Sequence, residues 1–355
     1  MSKSAQIKPL PEVLAAENVP TNLIDSVKDS GFYMRGWVDP FSGRTWQSVS
    51  DMMYGNKQFS SSFPTEEFIK YINGNYSFPA LPPPRSYDVS SVAEIHEVLA
   101  EPRRAHHMSE GTFTFRGQPK EYKYKRKIPS PVRAGKDGRE ISILSGAYRQ
   151  TDEFYSFARS CPERRSFEWL LAELEPNNPD VFLDSQSAYD IMRTEQHYAT
   201  QTSGLDLAFG LDTALFFATH RFKFDETDRA YYEAVPNGEH SGVIYCFRFR
   251  DPPVKRTQYL IKDFDLFKTY PPLRIIRQEC GLPLIMPSER NIALTDVDCI
   301  INLTPEFSLP ETFQMSREYM FPSVKEDGFY GRLLQLKDKE PDLLQDIVEY
   351  KWARD

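Results

Sequence analysis

Two stretches of the chain bring together side chains that could do chemistry. Residues 195–218 read EQHYATQTSGLDLAFGLDTALFFA, which gathers Gln196, His197, Thr202, Ser203 and Asp206 beside a strongly apolar run. Polar groups in such a place must find partners, inside the fold or on a ligand. Two readings of His197 stand side by side. It can cap the C-terminal end of a helix, the ordinary place for a lone histidine. Alternatively, Asp206 fixes its tautomer and the imidazole acts as a base or hydrogen-bond donor.

The second stretch, residues 111–127, reads GTFTFRGQPKEYKYKRK. Arg116 can grip a phosphate bidentately, and Gly117 beside it leaves the backbone open to a ligand. Between residues 111 and 140 there are nine Lys or Arg against three Asp or Glu, in a chain whose net charge is -8. The positive charge is therefore local. It either decorates a solvated edge strand, or Lys123, Lys125, Lys127 and Arg133 contact the phosphates of a nucleotide or a nucleic-acid strand. Tyr122 and Tyr124 would then supply stacking faces. A third spot, RIIRQECGL at residues 274–282, contains Glu279, which is either an exposed loop glutamate or a catalytic carboxylate.

These residues need elements to position them. Phe113 and Phe115 alternate with Thr112 and Thr114, so a strand is expected there, with Arg116 pointing away from the phenylalanines. Ser90 or Ser91 caps a helix carrying Val92, Ile95, Val98 and Leu99. Helices are also expected over residues 160–174 and 187–198, and Asp212 is placed to cap TALFFATHRF. GVIYCFRFR at residues 242–250 alternates as a strand, with Val243, Tyr245, Phe247 and Phe249 on one face, and further strands are expected at 284–286 and 299–303. Leu344, Val348 and Trp352 share one helical stripe, so the chain is expected to close on an amphipathic helix.

The fold class is α+β, with a mixed or mostly antiparallel sheet flanked by helices. The 355 residues, 40% of them hydrophobic, can bury a large core. The proline run near residues 79–84 separates a first region (1–88) of short helices, such as one at 65–72, and Pro-rich loops from a domain at 89–336 and a C-terminal helix at 337–355. Cys161, Cys246, Cys280 and Cys299 are spread too widely for a zinc site or a disulfide framework, so buried thiols and no metal are expected. No long apolar run or signal-like start occurs, so the expected location is cytoplasmic, without a membrane partner. P-loop, Rossmann, serine-hydrolase and zincin signatures are missing.

In its motifs the chain resembles the FRG domain family, whose Phe-Arg-Gly triplet stands here as Phe115, Arg116 and Gly117. Pro129, Ser130 and Arg133 match a downstream Pro-Ser-x-x-Arg segment. The family's longest motif runs without a gap along residues 196–218, agreeing at Gln196, His197, Tyr198, Thr202, Leu205, Asp206 and the terminal Ala-Leu-Phe-Phe-Ala. Arg274, Gln278 and Gly281 look like a later Arg, Gln-Gly segment, which here carries one extra residue, with Glu279 and Cys280 between Gln278 and Gly281. Ala199, Gln201, Ser203 and Leu207 depart from the pattern. Such domains occur in bacterial and phage-related proteins, which makes a toxin or phage-defence role an expectation.

The resemblance extends by analogy to ADP-ribosyltransferases. It implies an enzyme in which Arg116 anchors the phosphates of NAD, Thr202 and Ser203 support the ribose site, and Glu279 activates a protein or nucleic-acid acceptor. The alternative is a non-enzymatic module that recognises a nucleotide or a nucleic acid.

Overall fold

The computed structural model describes residues 84–100, 113–125, 137–143, 185–248, 270–282 and 297–355, apart from 142, 201 and 203. It also describes Thr21, Phe267 and the backbone of four short strands before residue 65. Those strands, β1 (Ile7–Pro9), β2 (Phe32–Val38), β3 (Thr45–Asp51) and β4 (Ser62–Pro64), pair in sequence order as an antiparallel meander. Apart from Thr21, which is helical, the described part of this region is strand, where short helices are expected from the sequence; residues 65–72 lie outside it. Aromatic and β-branched residues in FYMRGWV and TWQSVSD favour the extended form.

The chain then enters a six-stranded sheet through β5 (Arg85–Ser91), which turns directly into helix α1 (Val92–Ala100). Ser91 Oγ accepts the Glu94 amide at 3.3 Å, and the Glu94 carboxylate accepts from both the amide and the hydroxyl of Ser90. This reciprocal capping fixes the strand-to-helix turn. Strand β6 (Phe113–Gln118) carries Arg116, and β7 (Lys123–Lys125) with β8 (Arg139–Ile141) forms a separate hairpin.

Helix α2 (Ser185–Tyr198) leads through β9 (Leu207–Ala208) into helix α3 (Leu211–Thr219). A hairpin of β10 (His220–Phe224) and β11 (Ala230–Ala234) precedes β12 (Val243–Arg248). Helix α4 (Leu273–Gln278), β13 (Cys280–Gly281) and the long β14 (Val297–Ser308) follow, then α5 (Arg317–Met320) and α6 (Gly328–Lys339). The main sheet has the order β13-β9-β6-β12-β14-β5. All its pairings are antiparallel except β14 with β5, so the fold is α+β as expected.

Both faces of β12 are buried, which is why its apolar run is continuous. Ile244 and Cys246 pack with Phe115, Ala214 and Ala218 on the α3 side, while Val243, Tyr245 and Phe247 pack with Leu207 and Ile300 on the other. Gly117 is what lets α3 lie so close to the sheet. A Cβ there would sit 1.8 Å from the Ala214 carbonyl oxygen, and one on Gly242 would sit 2.2 Å from that of Ala218. The glycine of the Phe-Arg-Gly triplet therefore makes room for a helix, whereas the sequence suggests room for a ligand.

Two helix ends differ from the sequence expectation. Helix α3 stops at Thr219, and His220 to Phe224 form a strand paired with β11, where Phe222 packs on Tyr232 and Phe224 packs on Phe222. Asp212 lies in the first turn of α3, whose N-cap is Gly210. Residues 341–352 are turns rather than a helix. Their backbone groups bond elsewhere: Val348 N–H to Tyr198 O, Ala230 N–H to Glu349 O, and Lys351 N–H to Ala230 O. These long-range bonds replace the intrahelical ladder, while Leu344, Ile347, Val348 and Tyr350 are still buried. The expected elements at 160–174 and 284–286 lie outside the described residues.

Candidate functional site

Arg116 sits where the main sheet splits. Strand β9 pairs with β6 at one position, Phe115 with Ala208, so beyond that point β9 leaves the edge of β6. Arg116 bridges the gap with its side chain, donating from Nη1 to the backbone oxygen of Asp206 at 2.8 Å. Two cavities meet at this place, and both are lined by Arg116, Gly117, Phe217, Phe222 and Tyr232.

The larger cavity has a volume of about 770 Å³ and is cationic. Lys120, Lys123, Arg221 and Lys223 join Arg116 along its wall, with His220 and Tyr122 between them. Lys120 lies 5.3 Å above the Tyr122 ring. Carboxylates hold several of these cations from outside the lining: Glu121 is 3.0 Å from Lys123, Glu239 is 3.7 Å from Arg221, and Glu233 hydrogen-bonds Lys223. Burial holds the His220 imidazole below its usual range, and its Nδ1–H donates to Phe216 O at 2.9 Å. The positive charge of the cleft thus belongs to its lysines and arginines.

The smaller cavity, about 420 Å³, is aromatic with a polar floor. Phe224, Phe321 and Tyr350 extend the shared wall, and Gln196, His197 and Asp206 form part of the lining. Tyr232 stacks on Phe321 at 4.7 Å, and Phe321 on Tyr350 at 4.6 Å. Phe222 is 40% and Phe224 49% exposed, so their faces are open to a flat partner. Volumes of this size are typical of pockets for small organic ligands.

The polar floor is built differently from its sequence reading. Arg193 O is 2.7 Å from His197 Nδ1, and a carbonyl can only accept, so the proton is on Nδ1. Asp206 Oδ1 is 3.8 Å from the same nitrogen, beyond hydrogen-bond distance. The Arg193 carbonyl, not Asp206, thus sets the tautomer. Burial pulls the His197 pKa down against the opposing charge of Asp206, and its side chain is wholly buried, so it enters the site as a neutral group of the floor. Cys280 also lines this cavity, and burial pushes its thiol pKa far up, away from nucleophilic use.

Of the residues singled out from the sequence, Arg116, Gly117, Gln196, His197 and Asp206 converge on the smaller cavity, and Lys123 joins Arg116 on the larger. Thr202 is buried behind the floor, its hydroxyl bonded to Gln196 Oε1. Lys125 is exposed on β7 and lines neither cavity. Glu279 is exposed too. It caps α4 in the left-handed region (φ 46°) and lines neither cavity, so the carboxylate expected to activate an acceptor stands outside the site. Ser203, Lys127 and Arg133 lie outside the described residues.

Arg274 has another role. It is fully buried, with its guanidinium carbon 3.9 Å from the Tyr330 ring, 4.5 Å from Tyr198 and 4.8 Å from Tyr350. Its Nη1 donates to His197 O at 3.1 Å, which ties the end of α2 to the C-terminal segment. Nearby, Tyr198 donates to the buried Asp327 carboxylate at 2.6 Å.

Compared with family models, curated proteins and solved structures, the chain shows no match. Among the described residues, no helix is long and apolar enough to cross a membrane.

Proposed function

We propose that the protein is a nucleotide-recognition module in which Arg116 joins a phosphate compartment to an aromatic one. The observation that carries this reading is the shared wall of the two cavities: Arg116 stands beside Phe217, Phe222 and Tyr232 in both. On one side lie four further cations, and on the other lie stacked rings. A ligand bearing phosphate at one end and a flat heterocycle at the other matches both compartments at once. The FRG-like triplet supports this reading by placing its arginine at the junction. NAD and ADP-ribose belong to the same ligand class. With Glu279 outside the cavities, the proposal is recognition rather than ADP-ribosyl transfer.

Calorimetric titration with ADP tests it. Saturable binding is expected, weakened about tenfold or more by Arg116→Ala, as suits loss of a charge-assisted contact. Binding of ADP that is indifferent to Arg116→Ala defeats the proposal. So does binding of a single-stranded oligonucleotide alone, with steep salt dependence, which would assign the basic residues to nucleic acid.

A further inference from the structure

The two cavities differ in the kind of polar atom they offer. The larger presents donors, from Arg116, Lys120, Lys123, Arg221 and Lys223. Among the described residues lining the smaller, Asp206 is the one carboxylate. Among the described residues its Oδ1 is buried without a hydrogen-bond partner, and it is turned toward His197, which already spends its Nδ1–H on Arg193 O. The side chain keeps 19% exposure, so the remainder of the carboxylate is what faces the cavity. The buried oxygen is turned to the His197 side, so the oxygen that faces the cavity is the one a ligand's hydroxyl donors reach, and an ionised carboxylate can only accept from them.

Position adds to chemistry. Arg116 donates to the backbone oxygen of Asp206, which places the carboxylate's own residue one hydrogen bond from the cation that joins the compartments. In a nucleotide the group one step from the phosphate is the sugar. A carboxylate beside a phosphate-binding arginine repels a second phosphate and accepts from the vicinal hydroxyls of a ribose.

Resting on the nucleotide-recognition reading, we propose that Asp206 is a specificity-determining residue that selects a ribonucleotide over a deoxyribonucleotide by accepting hydrogen bonds from the ribose hydroxyls. The phosphates then lie toward Lys120 and Lys223, and the base lies against Phe222 and Tyr232. Only the Asp206 side chain is used, so its substitution leaves the backbone oxygen that Arg116 holds.

The test compares ADP, 2′-deoxy-ADP and 3′-deoxy-ADP by calorimetry on the full chain. The unsubstituted protein is expected to bind at least one deoxy analogue about tenfold or more weakly than ADP, the scale of a hydrogen bond to a charged group. Asp206→Asn is expected to shrink that ratio severalfold while nucleotide binding persists. If the unsubstituted protein binds all three within a factor of about two, and Arg116→Ala still weakens them, the ribose inference fails and the nucleotide reading survives. If none of the three binds, both fail. The deoxy analogues need no variant, so the result stands even if Asp206→Asn does not fold.

Discussion

Arg116 Nη1 donates to the backbone oxygen of Asp206 at 2.8 Å, and this bond spans the place where β6 and β9 part. One residue therefore both closes the sheet's gap and lines each of the two cavities beside it. The double role makes a clear demand on variants. Arg116→Lys keeps a charge but loses the planar fork. It is expected to retain weak ADP binding while the thermal midpoint falls by a few degrees, read by circular dichroism and calorimetry on the same sample. Full-strength binding in this variant would show that the fork is not used.

Gly117 tests the fit of helix to sheet. Its missing side chain is replaced by the Ala214 carbonyl, 1.8 Å from where a Cβ would stand. Gly117→Ala is expected to cost about 3 kcal/mol or more in urea denaturation, at the upper end of overpacking. Gly210→Ala, with nothing among the described residues within 4 Å of the added carbon, is expected to cost about 1 kcal/mol or less. Equal costs at the two positions would contradict the packing described for α3.

The buried network around Arg274 predicts a different loss. Tyr198→Phe removes the 2.6 Å hydrogen bond to the wholly buried Asp327 and leaves that carboxylate short of a donor. About 2 kcal/mol of stability should be lost. Arg274→Ala removes the cation stacked on Tyr198, Tyr330 and Tyr350 as well, and about 3 to 5 kcal/mol is expected. Chemical denaturation followed by tyrosine fluorescence reads both. A smaller loss in Arg274→Ala than in Tyr198→Phe would refute this arrangement.

Stability should fall on mild acidification. Burial holds His197, His220 and His240 below the ordinary histidine value, so the unfolded chain takes up protons at a higher pH than the folded one. The contribution is complete above about pH 6.5 and is lost as pH falls through that value toward the folded pKa values. The thermal midpoint is expected to be lower at about pH 5.5 than at about pH 7.5, and His197→Asn should narrow the difference. The Asp206 charge and the hydrogen bond to the Arg193 carbonyl oppose the shift at His197, while the charges of Arg193 and Arg274 reinforce it. A profile that is flat or rises toward acid would contradict the burial of these rings.

Much of the site's frame is legible in the sequence because its signals are local. The alternation of Phe113 and Phe115 marks β6, the Ser90–Ser91 cap marks α1, and the run ending at Tyr198 marks α2. The aromatic wall is not legible in this way. Phe222, Phe224 and Tyr232 belong to a hairpin whose first strand reads as the continuation of an apolar helix, and only its pairing with β11 shows otherwise. Tyr350 joins the site through a segment with helical spacing whose backbone bonds to Tyr198 and Ala230 instead. Arg221 and Lys223 carried a weak signal, since alternating cations beside exposed aromatics are what a half-buried edge offers to an anion. The tautomer of His197 depends on Arg193 O, a carbonyl one helical turn away that no residue type announces.

A structure of the protein with ADP bound decides whether Arg116 holds a nucleotide. A phosphate oxygen is expected within about 3 Å of the Arg116 guanidinium, with the base against Phe222 and Tyr232. ADP seated away from Arg116, or a site that stays empty at saturating ADP, would contradict it.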